Sequence, residues 1–229
     1  MSLLFSTPQQ KSGEVIIRAM HDRYSSTWYK TLTLTQTTRT HKADGSTQEE
    51  VWQEYMKIPA KLRIDVLPVD SGNCFIFIRD SIFVYQQGRL SISRPQIHRL
   101  LLLAFDVYHA PVEETIRKLR ELRYDLSVVR EDTWQGRPVY VVGAQQGDSR
   151  SRQFWIDKER LVFVRSLEQT PRDSTIISEV QFNKYEKQGG GWISPYVVFI
   201  VGGKTVTEEF YANIKTDVMI ADNMFEPKR

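Results

Sequence analysis

Most of the chain alternates apolar and polar residues with a period of two, which is typical of β-strands. Residues 28–37 are the clearest case, because large or apolar side chains there alternate with threonine. Leu32 and Leu34 therefore share one face of a predicted first strand. Asp44-Gly45 predicts the turn into a second strand over residues 48–58, in which Trp52 and Met56 share a face with Ile58.

Further strands follow at short spacing along most of the sequence. They are predicted at residues 62–67, 74–78, 81–85, 90–93, 126–130, 139–144, 153–156, 161–167, 176–185, 192–201 and 205–214. Residues 157–160, 189–191 and 202–203 have the composition of tight hairpin loops. Helices do not alternate singly with these strands, so the order favours an antiparallel sheet over a doubly wound parallel one.

Helical periodicity occurs in only two places. Residues 14–24 repeat apolar side chains on neighbouring turns, with Ser12 as the predicted N-cap. A central helical block begins after Ser93 and Pro95, and Pro111 separates it from a second helix over residues 112–123. We found no internal repeat and no break in composition. The sequence thus predicts an α+β protein with one domain over residues 1–229.

Composition is that of a globular protein, with 41% hydrophobic and 26% charged residues among 229, and a net charge of +3. This charge is too small to require a nucleic-acid partner. The longest wholly apolar run, residues 100–105, is far shorter than the roughly 18 residues of a membrane span. The first fifteen residues form neither a complete signal peptide nor a membrane anchor, so we expect a soluble chain whose export signal has been removed.

Residues suited to catalysis are few and scattered. No two of the histidines have the spacing of a helical metal site, Cys74 lies in an apolar strand pattern, and adjacent carboxylates on a strand point to opposite faces. We therefore expect no catalytic residue, no metal and no cofactor. The groups considered are His21, His41, His98, His109, Glu49, Glu50, Glu113, Glu114, Glu208 and Glu209.

A basic cluster in the second central helix comprises Arg117, Lys118, Arg120 and Arg123. Acidic residues lie four positions before Arg117 and Lys118, which is the spacing of ion pairs on a helix surface. This favours a solvated helix face over a surface for nucleic acid or an anionic membrane.

Apolar residues are more abundant than a sheet with one covered face requires. Residues 74–78 and 196–201 are apolar on both faces, so both faces should be covered. A large sheet that curls must fill its concave side either with its own helices or with an apolar ligand. The sequence leaves both alternatives open. If there is a cavity, we expect its strand residues to be Leu32, Leu34, Trp52, Met56, Phe75 and Phe77.

The central helix carries leucine at four consecutive positions, residues 100–103, which cover about 300° of its circumference. Such a helix is either buried on nearly all sides or covers something that it can release. Our hypothesis is that Leu101, Leu102 and Phe105 face the cavity as a movable lid.

Four stretches together resemble the outer-membrane lipoprotein carrier (LolA-like) superfamily. Residues 57–64, with the sequence Lys-Ile-Pro-Ala-Lys-Leu-Arg-Ile, are similar to its hairpin between the second and third strands, and residues 79–85 to the strand that follows. Residues 154–165 resemble its central hairpin, and residues 211–225 its closing strand and tail. The likeness spans nearly the whole chain in the same order.

This resemblance implies an incomplete antiparallel barrel with an N-terminal helix and a central helical lid. It also implies a non-enzymatic periplasmic carrier or binding protein for acyl chains of lipoproteins or lipids. Membrane-bound donor or acceptor proteins are then candidate partners, with no nucleic acid, and the protein is expected to be a monomer. The alternative within the same fold is a sensor or protein-interaction domain whose own helices fill the cavity.

Overall fold

The computed structural model describes residues 12–227, in which most of the chain forms one sheet. The strands are β1 Thr31–His41, β2 Thr47–Lys57, β3 Lys61–Val66, β4 Cys74–Ile78, β5 Ser81–Gln86, β6 Arg89–Pro95, β7 Val129–Trp134, β8 Arg137–Val142, β9 Gln153–Asp157, β10 Phe163–Gln169, β11 Ile177–Asn183, β12 Glu186–Gln188, β13 Gly191–Ile193, β14 Tyr196–Val201 and β15 Lys204–Thr216. The helices are α1 Gly13–Tyr24, α2 Arg99–Ala104 and α3 Val112–Glu121, with short 3-10 helices at Val69–Ser71, Asp106–Tyr108 and Asp222–Phe225.

Thirteen strands form a single antiparallel sheet in the order β6-β5-β4-β3-β2-β1-β15-β14-β11-β10-β9-β8-β7. The long strand β15 joins the two halves, because it pairs with β1 on one side and with β14 on the other. β6 and β7 remain at the two ends, so the curled sheet is not closed into a barrel. β12 and β13 form a separate small hairpin. The predicted α+β class and the unclosed sheet are confirmed.

Helices α1 and α3 cover the concave side of the C-terminal half of the sheet. Ser12 caps α1 as predicted, since its Oγ accepts a hydrogen bond from the Val15 amide at 3.4 Å. A Cβ on Gly13 would lie 2.7 Å from the side chain of Val142, so α1 approaches β8 closely at this position. Tyr24 donates from its hydroxyl to the Arg160 carbonyl at 2.6 Å, which fixes the end of α1 beside β9 and β10.

Several element boundaries differ from those that the sequence predicts. The strand predicted at residues 126–130 is β7 at Val129–Trp134, and the strand predicted at residues 192–201 is divided into β13 and β14, which belong to different sheets. Residues 28–30 are not in a strand: the Trp28 amide bonds to the Tyr24 carbonyl, and the ring of Trp28 stacks on Tyr108 at 3.7 Å between centroids. The central helical block is also divided, because Phe105, at φ −135°, leaves helical backbone and a 3-10 turn follows. The position of Trp28 follows from its packing against Tyr24 and Tyr108, a tertiary contact that local periodicity does not encode.

The opposite face of β3, β4 and β5 is covered by the C-terminal segment. Cys74, Ile76 and Ile78 form a second apolar cluster there with Ile220 and Phe225. The Arg63 guanidinium on the same side donates to the Met224 carbonyl at 3.0 Å. Both faces of β4 are thus covered, as its continuous apolar sequence predicts. Among residues 12–227, no helix is long and apolar enough to cross a membrane.

Candidate functional site: an apolar cavity with buried acids

A cavity of about 310 Å³ lies between α2 and the concave face of the sheet. This volume is at the lower end of the range of roughly 300–1,000 Å³ that is usual for small-molecule sites. We call it the apolar cavity. Its lining residues are Trp52, Glu54, Met56, Leu62, Ile64, Phe75, Phe77, Ile82, His98, Leu100, Leu101, Phe105, Phe182, Phe199, Glu209 and Tyr211.

Strand register places the apolar wall in rows that cross neighbouring strands. Met56 pairs with Leu62, Leu62 with Phe77, and Phe77 with Ile82, so one row crosses β2, β3, β4 and β5. Directly paired residues point to the same face, and each row therefore presents a continuous apolar surface. Alternation along β4 turns Phe77 inward and Ile76 outward.

Six of the nine residues that the sequence places around a ligand line the apolar cavity: Trp52, Met56, Phe75, Phe77, Leu101 and Phe105. Leu32 and Leu34 have the same inward orientation but are completely buried in the core. Leu102 lines a separate space of about 20 Å³ beside Asp106. A ligand-binding role for the nine residues stays a prediction.

Glu54 is the most unusual group in this wall. The residue is only 4% exposed, and no hydrogen bond or ion pair joins its side chain to any other residue of the described segment 12–227. Burial raises the pKa of Glu54 from the ordinary 4.5 to about 8, and the nearby carboxyl of Glu209 adds to this rise. Because an unpaired carboxylate in an apolar surrounding is costly, Glu54 is mostly protonated near pH 7, and its ionised form would need a donor or a cation that residues 12–227 do not supply.

Glu209 brings a second carboxyl group to the same cavity. Burial raises its pKa to about 7, while hydrogen bonds from Tyr211 and Gln36 act in the opposite direction. The Tyr211 hydroxyl donates to Oε2 of Glu209 at 2.8 Å. Gln36, 1% exposed, pairs across the sheet with both Trp52 and Tyr211, donates from Nε2 to Thr38 Oγ1 at 2.7 Å, and has no hydrogen-bond partner at Oε1.

The one basic side chain in the lining is His98, and it does not balance these acids. Its Nδ1 accepts from the Leu101 amide at 3.0 Å as the cap of α2, and its ring packs edge-on against Phe77 at 4.5 Å. Burial and, to a smaller extent, the neighbouring charge of Arg99 lower the pKa of His98 from 6.5 to about 4. His98 is therefore neutral near pH 7, and the acids face no positive charge within the lining.

Sequence reasoning missed Glu54, Glu209, Tyr211 and His98 as members of the site. A signal for Glu54 was present, because it lies between Trp52 and Met56 in the alternation and must share their face. Glu209 and Tyr211 belong to β15, about 150 residues away, and only the pairing of β15 with β1 brings them near Glu54.

Ion pairs and hydrogen bonds tie α2 and the following turn to the surrounding sheet. Arg99 pairs with Glu168 of β10, and Arg152 pairs with the same carboxylate at 2.9 Å. The Asp106 carboxylate accepts from the Ala60 amide at 2.9 Å in the β2–β3 turn. These contacts position Leu101 and Phe105 over the cavity.

The basic cluster of α3 is only partly a solvated face. Arg117 pairs on the surface with Glu121 at 3.0 Å and not with Glu113, four positions before it, which pairs with Arg18 of α1 at 2.7 Å. The side chain of Lys118 is instead buried, and its Nζ lies 2.7 Å from Asp80 and 3.0 Å from Glu114. The expectation of a fully exposed cluster was wrong for Lys118, because α3 packs against the β4–β5 turn that carries Asp80.

The fold and the cavity define a class: an open antiparallel sheet that curls around helices and leaves an apolar space beneath one of them. Solved structures share this architecture over almost their full length. A DUF1329 family protein from Desulfovibrio piger is similar with a TM-score of 0.64 and 17% identity, covering 96% of this chain and 98% of that one. A putative outer membrane lipoprotein-sorting protein domain from Vibrio parahaemolyticus is similar with a TM-score of 0.64 and 12% identity, covering 94% of this chain and 96% of that one.

A LolA superfamily protein from Nitrosomonas europaea is also similar, with a TM-score of 0.59 and 10% identity over 94% of this chain and 98% of that one. The chain therefore has the LolA-like fold, as the sequence resemblance implies. No protein-family profile and no curated protein sequence matches the chain.

Proposed function

We propose that the protein is a non-enzymatic carrier or binding protein that takes an acyl chain of a lipoprotein or another lipid into the apolar cavity. The observation that carries this proposal is the cavity of about 310 Å³ beneath α2, whose wall is mostly apolar, with Glu54, His98, Glu209 and the Tyr211 hydroxyl as its main polar groups. Each buried CH₂ of a chain contributes about 0.8 kcal/mol, so a chain of ten carbons supplies enough free energy without a catalytic group.

The alternative, a sensor or interaction domain with a filled cavity, has weaker support. Helices α1 and α3 do fill the concave side over β8, β9 and β10, where Tyr24, Tyr108 and Phe154 belong to the core. The space over β2 to β5 is not filled, because α2 contributes only the turn that carries Leu101 and Phe105. A ligand is the simplest occupant of that space.

The same proposal places the protein in the periplasm, as a monomer that exchanges its ligand with membrane-bound donor or acceptor proteins. Its support is the fold shared with a domain named for outer membrane lipoprotein sorting. A cell fractionation that finds the native protein in the cytoplasm would contradict this part of the proposal.

Native mass spectrometry of the purified protein, followed by lipid extraction, tests the main proposal. We expect a co-purified acyl-chain species, or stoichiometric binding of a fluorescent fatty acid. Met56→Trp should weaken that binding by filling the cavity, whereas Leu90→Trp should not, because Leu90 is exposed on the edge strand β6. A protein that carries no lipid and binds no fluorescent fatty acid would favour the sensor alternative.

A further inference from the structure

We propose that the apolar cavity selects an amphiphile whose polar end is an ammonium group, held by Glu54 with Glu209 close by, while the apolar chain lies against the aromatic wall. This inference rests on the proposed function and specifies the chemistry of its ligand. It follows from the surplus of acceptors in the cavity, from the absence of a counter-charge in its lining, and from the apolar character of the remaining wall.

Unpartnered acceptors are the first argument. Glu54 lines the cavity, is 4% exposed and has no hydrogen-bond partner within residues 12–227. Oε1 of Gln36, between the two acids on β1, also has none. Buried acceptors normally find donors. Here Tyr211 is engaged with Glu209, the Gln36 amide is engaged with Thr38 and Glu209, and no hydrogen bond joins Nε2 of His98 to Glu54 within the described residues. A ligand that supplies donors completes this site.

Charge is the second argument. An ammonium group offers three donors, no acceptor and one positive charge. At pH 8, a pKa of about 8 leaves Glu54 about half ionised and a pKa of about 7 leaves Glu209 mostly ionised, and an ammonium group nearby favours the ionised form of both acids. A ligand carboxylate or phosphate in the same position would meet these negative charges and no cation, since burial lowers the pKa of His98 and leaves that ring neutral. Like charges in a cavity of low polarity repel strongly. The lining therefore disfavours anionic head groups.

Strand register gives the arrangement of the two acids. Glu54 pairs with Leu34, and Glu209 pairs with Thr38, so their backbone positions are four residues apart along β1 with Gln36 midway. The carboxyl groups thus flank Gln36 and Tyr211 and do not form a hydrogen-bonded pair. One ammonium group beside Glu54 also experiences the field of Glu209.

The wall beyond the acids is suited to the apolar part of the same molecule. Trp52 and Phe75 lie with ring centroids 6.0 Å apart, and Phe77, Leu101 and Phe105 complete the surface under α2. The two acids are thus on β2 and β15, whereas the lining contributed by β3, β4 and β5 is entirely apolar. This is the pattern of an amphiphile site and not of a site for a small polar cation.

Isothermal titration calorimetry at pH 8 with dodecylamine, dodecanol and dodecanoate tests the proposal, because the three probes share one chain and differ in charge. We expect dodecylamine to bind at least tenfold more tightly than dodecanol, and dodecanoate to bind most weakly. Glu54→Gln should remove most of the preference for the amine and leave dodecanol binding within about threefold. Glu209→Gln should reduce the preference in the same direction.

Glu208→Gln is the matched control, since Glu208 adjoins Glu209 in sequence but pairs with His41 on the other face of the sheet. It should leave all three affinities unchanged. Lauroyl-lysophosphatidylethanolamine distinguishes two sources of the ammonium group. If this lipid binds and its binding weakens in Glu54→Gln, the ammonium group belongs to a lipid headgroup. Binding confined to dodecylamine assigns it to an amine with no phosphate beside it, and either result supports the proposal.

Equal binding of dodecylamine and dodecanol, or tighter binding of dodecanoate, would overturn the ammonium proposal and leave the acyl-chain function intact. An unchanged amine preference in Glu54→Gln would overturn it as well. If none of the probes binds, both the ammonium proposal and the proposed function fail.

Discussion

Glu208 and Glu209 are consecutive in β15, yet their carboxyl groups lie on opposite faces of the sheet and in opposite electrostatic surroundings. Glu208 accepts from the Tyr196 hydroxyl at 2.5 Å and pairs with His41 Nε2 at 2.8 Å, and these hydrogen bonds lower its pKa. Glu209 lies in the apolar cavity, where burial raises its pKa to about 7. Both residues are half-buried, but a single step along the strand separates a carboxylate stabilised by His41 and Tyr196 from an acid in an apolar cavity.

Glu54→Gln should change how stability depends on pH. Burial raises the pKa of Glu54 from 4.5 to about 8, so between these values the folded protein retains a proton that the unfolded chain has released. The free energy of unfolding of the unmodified protein therefore falls as pH rises through this window, by at most about 1.4 kcal/mol per pH unit from this group. Glutamine does not titrate, and the variant should gain stability relative to the original protein from pH 5 to pH 8.

Urea unfolding at several pH values measures this difference, and Glu208→Gln is its control. The pKa of Glu208 is lowered in the folded state, so its contribution is present above the ordinary pKa of 4.5 and is lost as pH falls through the lowered value. The Glu208→Gln variant should therefore be less stable than the original protein near neutral pH. This difference in the free energy of unfolding should shrink only at acidic pH. Parallel profiles for Glu54→Gln and the original protein would show that Glu54 is not buried as described.

Phe105→Ala should mainly weaken ligand binding, whereas Leu102→Ala in the same helical block should mainly lower stability. Phe105 lines the apolar cavity, whereas Leu102 is buried beside Asp106 outside it. We expect Phe105→Ala to raise the Kd for a fluorescent fatty acid about tenfold, through lost contact area. Leu102→Ala should cost roughly 2–5 kcal/mol of stability with little change in Kd. Equal Kd values for the two variants would contradict this division.

Asp106 should be replaceable by asparagine but not by alanine. Its carboxylate accepts from the Ala60 amide at 2.9 Å, and burial raises its pKa to about 7. Asparagine retains an acceptor for that amide, while alanine leaves the amide unsatisfied, at a cost of about 1–3 kcal/mol. Thermal unfolding should rank the Tm values as original, Asp106→Asn, then Asp106→Ala. Equal Tm values for both variants would exclude a role for this hydrogen bond.

Gly190→Ala should be among the more destabilising single substitutions in the β12–β13 hairpin. A Cβ at Gly190 would lie 1.7 Å from the Thr27 carbonyl oxygen, so the backbone would have to move. We expect a loss of more than about 3 kcal/mol, as for other forced rearrangements of packed structure. Gly45→Ala is the comparison, because Gly45 has φ +84° but open space around it, and its loss should be about 1–2 kcal/mol. Urea unfolding measures both, and similar losses would contradict the close approach.

Much of the site was accessible to sequence reasoning because strand alternation has a strict period of two. Trp52 and Met56 are on the expected face, and β4 turns Phe75 and Phe77 inward although both of its faces are apolar. The alternation could not distinguish inward residues that line the cavity from inward residues that are buried in the core. Leu32 and Met56 are direct partners across β1 and β2, yet only Met56 borders the apolar cavity.

The sequence by itself determined most of the elements, the antiparallel class of the sheet and the inward face of β1 and β2, since these follow from local periodicity and turn chemistry. Only the tertiary structure decided where the helices cover that face, and hence that Leu34 belongs to the core while the space under α2 stays open. It also decided that Glu54 and Glu209 share one cavity. Glu54 and Glu209 are close only because β15 pairs with β1, and no local sequence pattern specifies this contact between distant segments.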